Sequence, residues 1–177
     1  MKFLLRLFSI YVDWLLRRPR DRSANTRERA AAGPRELARG ELVTRFIYSS
    51  NQLSKANGRP KPPAFEPPKN GELSTVHSTD LPDADIWNIG KLTFGSQAGR
   101  SRIYARADVP VRAFIEKKLH AIRDDDPFER HTSVIGWPRG ADADDTKQQW
   151  KMICLELSQD PTVKLIVPDA PVTRSAV

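Results

Sequence analysis

Thiols, imidazoles and recognisable catalytic signatures are all scarce in this chain. Its single cysteine, Cys154, can close no intrachain disulfide and cannot by itself build a cysteine zinc knuckle, so a reducing compartment is compatible. The only histidines are His77, His120 and His131, a thin supply of metal ligands. No Gly-rich phosphate loop, nucleophile elbow or HExxH stretch occurs, so neither a cofactor nor a metal is expected. Sequence repeats are also lacking. With 177 residues, 39% hydrophobic content and 14 prolines, the chain reads as about one loop-rich globular domain with an appendage.

Net charge is missing from most of the chain too. Residues 1–45 hold eleven Lys/Arg against five acids, a net of +6. The other 132 residues carry 18 basic and 17 acidic groups, a net of +1. A body that reads nucleic acid through a broad basic face should itself be basic, so nucleic acid is disfavoured as a partner; the arm alone would support non-specific phosphate contact.

What is present is first of all that arm. In MKFLLRLFSIYVDWLL, helical spacing puts Lys2, Arg6, Ser9 and Asp13 within an arc of about 60°, and the rest of the circumference is apolar. Fourteen residues rise about 21 Å, short of the roughly 30 Å of a bilayer core, and Asp13 interrupts the run. Residues 1–16 are therefore expected to form an amphipathic helix lying at an anionic membrane surface. Phe3, Leu4, Leu7, Phe8 and Trp14 would enter the interface, with Arg17 and Arg18 at the headgroups. Docking on the body or on a second copy competes with this reading, as does a targeting signal, which Asp13 and the want of a small-residue cleavage site weaken. Residues 17–41 read as a basic linker.

From Leu42 the texture changes, and residues 42–168 are expected to be one α+β domain: a small mixed or antiparallel sheet with two or three packed helices. LVTRFIYSS, ELSTVHST, RSRIYARADV, LHAIR, TSVIGWP and VKLIVP read as strands. NGRPKPPAFEPPKNG is a turn-bounded excursion with Phe65 tucked inward. DLPDADIWNIGKL predicts a helix with Asp80 as its cap and Gly90 as its terminator. Pro110 opens a second helix carrying Val111, Phe114, Ile115 and Leu119. DADDTKQQWKMICLELSQ predicts a third, with Trp150, Ile153 and Leu157 on one stripe. Residues 169–177 read as a flexible tail.

The ordered series PKPPAFEPP, GELS, IWNIG, ARAD and HTSVIGWP resembles a pattern in short bacterial proteins of uncharacterised activity. The resemblance covers roughly residues 42–138 and implies a compact bacterial cytoplasmic domain, with His131 as a landmark. No activity comes with it.

Two chemistries compete with a non-enzymatic role. His77-Ser-Thr79 and His131-Thr-Ser133 both match a His-x-Ser/Thr triplet, as in two-histidine phosphoesterases, where paired imidazoles share acid and base duties; His131, His77, Ser133 and Thr79 are then the candidate catalytic residues. Asp124, Asp125, Asp126, Glu129 and His131 could alternatively hold a divalent ion, although an acidic surface turn explains them as well. A structural role for His131 is the competing expectation, with Asp126 or Glu129 as its partner. The overall expectation is a non-enzymatic bacterial accessory protein with a protein partner, cytoplasmic and held peripherally at the inner membrane face.

Overall fold

The computed structural model describes residues 33–54, 58–93, 102–140, 142–169 and 172–173. The arm, including Phe3, Leu4, Leu7, Phe8, Trp14, Arg17 and Arg18, lies outside the described residues.

The described body is α+β. Seven strands form one antiparallel sheet: β1 (Arg35–Glu36), β2 (Leu42–Ile47), β3 (Leu73–His77), β5 (Ala105–Pro110), β6 (His120–Arg123), β7 (His131–Ile135) and β8 (Lys164–Ile166). Their order across the sheet is β1-β6-β7-β3-β2-β5-β8. A separate two-stranded ribbon joins β4 (Arg102–Ile103) to β9 (Val172–Thr173). Three helices accompany them: α1 (Asp83–Thr93), α2 (Val111–Ile115) and α3 (Ala143–Gln159).

Alternation along the strands divides the apolar residues between the two faces. On one face Val43, Leu73, Val109, Ala121 and Val134 pack with Phe65, Phe114, Trp137 and Leu157. On the other, Phe46 and Val76 pack with Ile86 and Ile103, and with the partly buried Trp87 and Ile89 of α1. Burial on both faces explains why β2 reads LVTRFI, with few polar positions. The Asp142 carboxylate caps α3 by accepting from Asp144 N at 2.7 Å and Asp145 N at 3.3 Å, and acids fill the first turn. Trp150 of α3 meets Trp137 edge-on, ring centroids 6.0 Å apart, and each indole N–H is satisfied by a backbone carbonyl, Val134 O and Pro138 O. Phe65 is fully buried behind the 3₁₀ turn Pro62–Ala64, as the excursion requires.

Five features differ from the sequence reading, each for a local reason. Gly90 does not end α1: it sits inside it, because a Cβ there would lie 2.6 Å from the Phe46 ring and 2.9 Å from Ile103. The glycine is a close-approach site. Asp80 takes a left-handed backbone (φ +61°) in the turn before Pro82, three residues ahead of α1. Strand RSRIYARADV is broken at Tyr104, leaving Ile103 against α1 and Ala105 in the opposite core. The second helix stops at Ile115, and left-handed Lys118 (φ +61°) swings Leu119 back under the sheet. Finally, β1 falls within the expected linker and β9 within the expected tail.

A polar contact also fastens α1. Arg106 of β5 is 1% exposed, donates to Asp83 and Asp108, and lies with its guanidinium 5.0 Å from the Trp87 ring centroid. Asp108 also accepts from Thr44 Oγ1 at 2.6 Å, so the cation's partner is itself held.

Gly90→Ala tests the packing of α1. Helix propensity alone favours alanine by about 1 kcal/mol. Overlap with Phe46 should outweigh that gain and leave the variant less stable by about 1–2 kcal/mol. Urea denaturation reads the sign; a stabilised variant contradicts this packing.

Candidate functional site

The site grows out of the β3–β7 pairing. Their antiparallel register sets Val76 opposite His131 and Ser74 opposite Ser133. Directly opposed residues share a face, so His131, Ser133 and Ser74 stand together on the face that carries α1. The hairpin between β6 and β7 supplies the fourth member. Backbone N–H groups of Asp124 and Asp125 donate to His131 O, at 3.2 and 3.4 Å, folding the turn back over the histidine.

A continuous hydroxyl–imidazole–carboxylate line results. His131 Nδ1 lies 2.6 Å from Asp124 Oδ1, and His131 Nε2 lies 2.8 Å from Ser74 Oγ. A carboxylate only accepts, so Nδ1 carries a proton; in the neutral ring Nε2 presents its lone pair and Ser74 O–H donates to it. Asp124 is aligned from its other side, where Ser133 Oγ donates to Oδ2 at 2.9 Å. Phe128 stands edge-on to the imidazole with centroids 5.0 Å apart. The His131 side chain is 8% exposed, whereas Ser74 is half-buried at the open end of the line. Chemically, this order of groups can take a proton from a serine hydroxyl and hold the imidazolium that forms.

His77 belongs to a different network on the opposite face. It neighbours Val76 in β3 and pairs with Val43, so its side chain points away from His131. Arg123 Nη1 lies 3.3 Å from His77 Nδ1 and can only donate, which places the imidazole proton on Nε2. That nitrogen lies 3.1 Å from Glu41 Oε1, bent away from a hydrogen-bond line, a contact that becomes an ion pair only when the ring is protonated. Glu41 in turn accepts from Arg35 at 2.8 and 3.1 Å and from Ala38 N. Hydrogen bonding from Arg35 holds the Glu41 carboxyl below the usual range, against its partial burial. Burial pushes the His77 imidazole below its ordinary value; Glu41 opposes that shift, and Arg123, Arg130 and Arg35 add to it.

The residues expected to act together are therefore divided. His131 and Ser133 share one cluster, while His77 lies across the sheet, so the two imidazoles cannot flank one phosphate. Thr79 Oγ1 accepts from Leu42 N at 2.8 Å and fastens the start of β2. The partner of His131 is Asp124 rather than Asp126 or Glu129, because left-handed Asp125 (φ +55°) and Arg130 (φ +69°) bend the turn onto its first acid. Asp125 is engaged by Arg123 Nε, at 2.9 and 3.1 Å, and by Arg130 N. Asp124 and Asp125 thus face different partners, and no three His, Cys, Asp or Glu side chains among the described residues converge as a metal set. Cys154 is buried in α3, and burial raises its thiol to about 12, far from a nucleophile.

Ser74 is the member that the sequence reading misses, since its role depends on which strand lies beside β3. No clean period-two signal marks it either, since Thr132 on the Val134 face of β7 is polar and Ile135 on the His131 face is apolar. No known protein family, curated protein or solved structure matches the chain. No helix among the described residues is long and apolar enough to cross a membrane.

The buried His77 makes stability depend on pH. Its folded-state pKa is depressed, so between the folded and unfolded values the unfolded chain binds the extra proton. This contribution is fully present above the ordinary imidazole value of about 6.5 and is lost as the pH falls below it. Urea denaturation between about pH 5.5 and 7.5 should show stability rising with pH, more steeply in wild type than in His77→Gln. Equal slopes contradict the assignment.

Proposed function

We propose that the protein is a serine-nucleophile hydrolase acting on ester or thioester bonds presented to the partly exposed Ser74. The observation that carries this reading is the unbroken line from Ser74 Oγ through both nitrogens of His131 to Asp124, at 2.8 and 2.6 Å. Backbone strain beside it supports the reading: Asp125 and Arg130, within one hairpin turn of the histidine, both hold left-handed conformations.

Ser74 Oγ attacks the acyl carbon as its proton passes to His131 Nε2. The tetrahedral adduct collapses, the C–O or C–S bond breaks, and the leaving group takes the proton from His131. Water then attacks the acyl-Ser74 ester, giving its proton to the same nitrogen. Release of the acid returns that proton to Ser74. Asp124, aligned by Ser133, keeps Nδ1 protonated and faces the imidazolium throughout.

Slow turnover is expected. Ser74 occupies a regular strand between β7 and β2, where N–H groups serve the ladder, and the want of one oxyanion donor costs about 10²–10³ in rate. Covalent labelling is therefore the sharper test. A fluorophosphonate probe should modify Ser74 in the full chain, with loss of labelling in Ser74→Ala and a drop of about 10²–10⁴ in its rate in His131→Ala. If Ser74 is unmodified, or its labelling is indifferent to His131, the reading is wrong. The four side chains are then a clamp tying β3 to the β6–β7 hairpin, and the variants lose only melting temperature.

A second reading is favoured by the segregation of charge, net +6 in residues 1–45 against +1 in the rest. In it the chain is an accessory protein held at an anionic membrane surface, where it meets a protein partner. Co-sedimentation with phosphatidylserine vesicles should fall to background on deletion of residues 1–22. Equal sedimentation of both forms contradicts it.

A further inference from the structure

The two histidine networks are joined by one short piece of chain. Arg123 ends β6 and points to the His77 face; Asp124, the next residue, points to the His131 face; Asp125 returns to grip Arg123. Arg123 Nε donates to both Asp125 oxygens, at 2.9 and 3.1 Å, while its Nη1 donates to His77 Nδ1 at 3.3 Å. Asp125 Oδ1 also accepts from Arg130 N, the residue before His131, so the loop closes on itself across both ends of the hairpin turn. The position of the Asp124 carboxylate is thus set by a turn whose far side leans on His77.

We propose that Arg123 is a positioning residue for the Ser74–His131–Asp124 line, and that His77 governs its hold from the opposite face of the sheet. With His77 neutral, the Nδ1 lone pair receives Arg123. A second proton on the ring puts an N–H where that lone pair was, and two donors then face each other. The charged groups around His77 decide which side gives way. Glu41, reached from the segment before β2, attracts the charged ring; Arg35 from β1, Arg123 from β6 and Arg130 beside β7 repel it. The group displaced is Arg123, since its Nη1 holds Nδ1 directly, and Asp125 is drawn with it because both its oxygens are bonded to Arg123 Nε. Release of Arg123 loosens Asp125 and shifts Asp124 from His131 Nδ1. The two His-x-Ser/Thr triplets are then parts of one device, a reactive histidine and a sensing histidine placed back to back.

Nitrogen-15 NMR of the histidine rings in the full-length protein, followed against pH, tests this directly. His131 ring shifts should show an additional inflection at the pH where His77 titrates, and it should vanish in both His77→Gln and Arg123→Met. Arg123→Lys, which keeps the charge but loses the fork, should remove it too, and serves if Arg123→Met does not fold. A His131 curve identical in wild type and His77→Gln overturns the proposal. The same pH series of Ser74 labelling should have an acid limb approaching two protons in wild type and one in His77→Gln. Only this second arm rests on the hydrolase reading, so the failures separate. An unlabelled Ser74 with a coupled His131 sinks the hydrolase alone, and a labelled Ser74 with an uncoupled His131 sinks the positioning role alone.

Discussion

The pairing of β3 with β7 is the constraint on which the rest of this molecule depends. Setting Val76 opposite His131 commits His131 to one face of the sheet and His77 to the other. A slip of β3 by one residue against β7 would invert its faces, moving Ser74 into the apolar core and Leu73 out of it, and would part Ser74 from His131. Burial of Leu73 and Val134, both fully inaccessible, therefore fixes the register of the polar cluster on the other side. One register places both the apolar core and the polar cluster.

The sheet also explains how so many polar side chains are tolerated inside the fold. Buried polar groups are stable when paired with one another and costly when left alone. Among the described residues, each buried basic group is met by carboxylates: Arg106 by Asp83 and Asp108, His131 by Asp124, His77 by Glu41. Two of these lie on the α1 face, where Arg106 fastens the helix while the Ser74 end of the sheet stays partly open. The hairpin turn 124–130 reaches His131 through Asp124 and Arg123 through Asp125.

Much of the fold is legible in the sequence because hydrophobic periodicity reports burial directly. α3 carries apolar residues at helical spacing, β2, β3 and β7 are short β-branched and apolar runs buried on both faces, and the proline frame places Phe65 inward. Gly90 misleads because a glycine required by a distant ring, that of Phe46, looks the same in sequence as one that ends a helix. β1 and β9, two residues each, have no period to detect. In the site, His131 stands out by type and position, but Ser74 does not. Its role comes from a strand neighbour 57 residues away, and pairing of that kind leaves no local trace. Asp124 is hidden among three adjacent aspartates, and only the left-handed turn selects it.

The central claim is that Asp124, His131 and Ser74 form a hydrogen-bonded line in solution. Proton NMR of the full-length protein in water tests it most directly, through the His131 Nδ1–H resonance. The account predicts a single exchange-protected signal far downfield of the amide region, assigned to His131 and abolished by Asp124→Asn. A His131 ring proton that exchanges freely with water, or one whose shift is unchanged in Asp124→Asn, would contradict it.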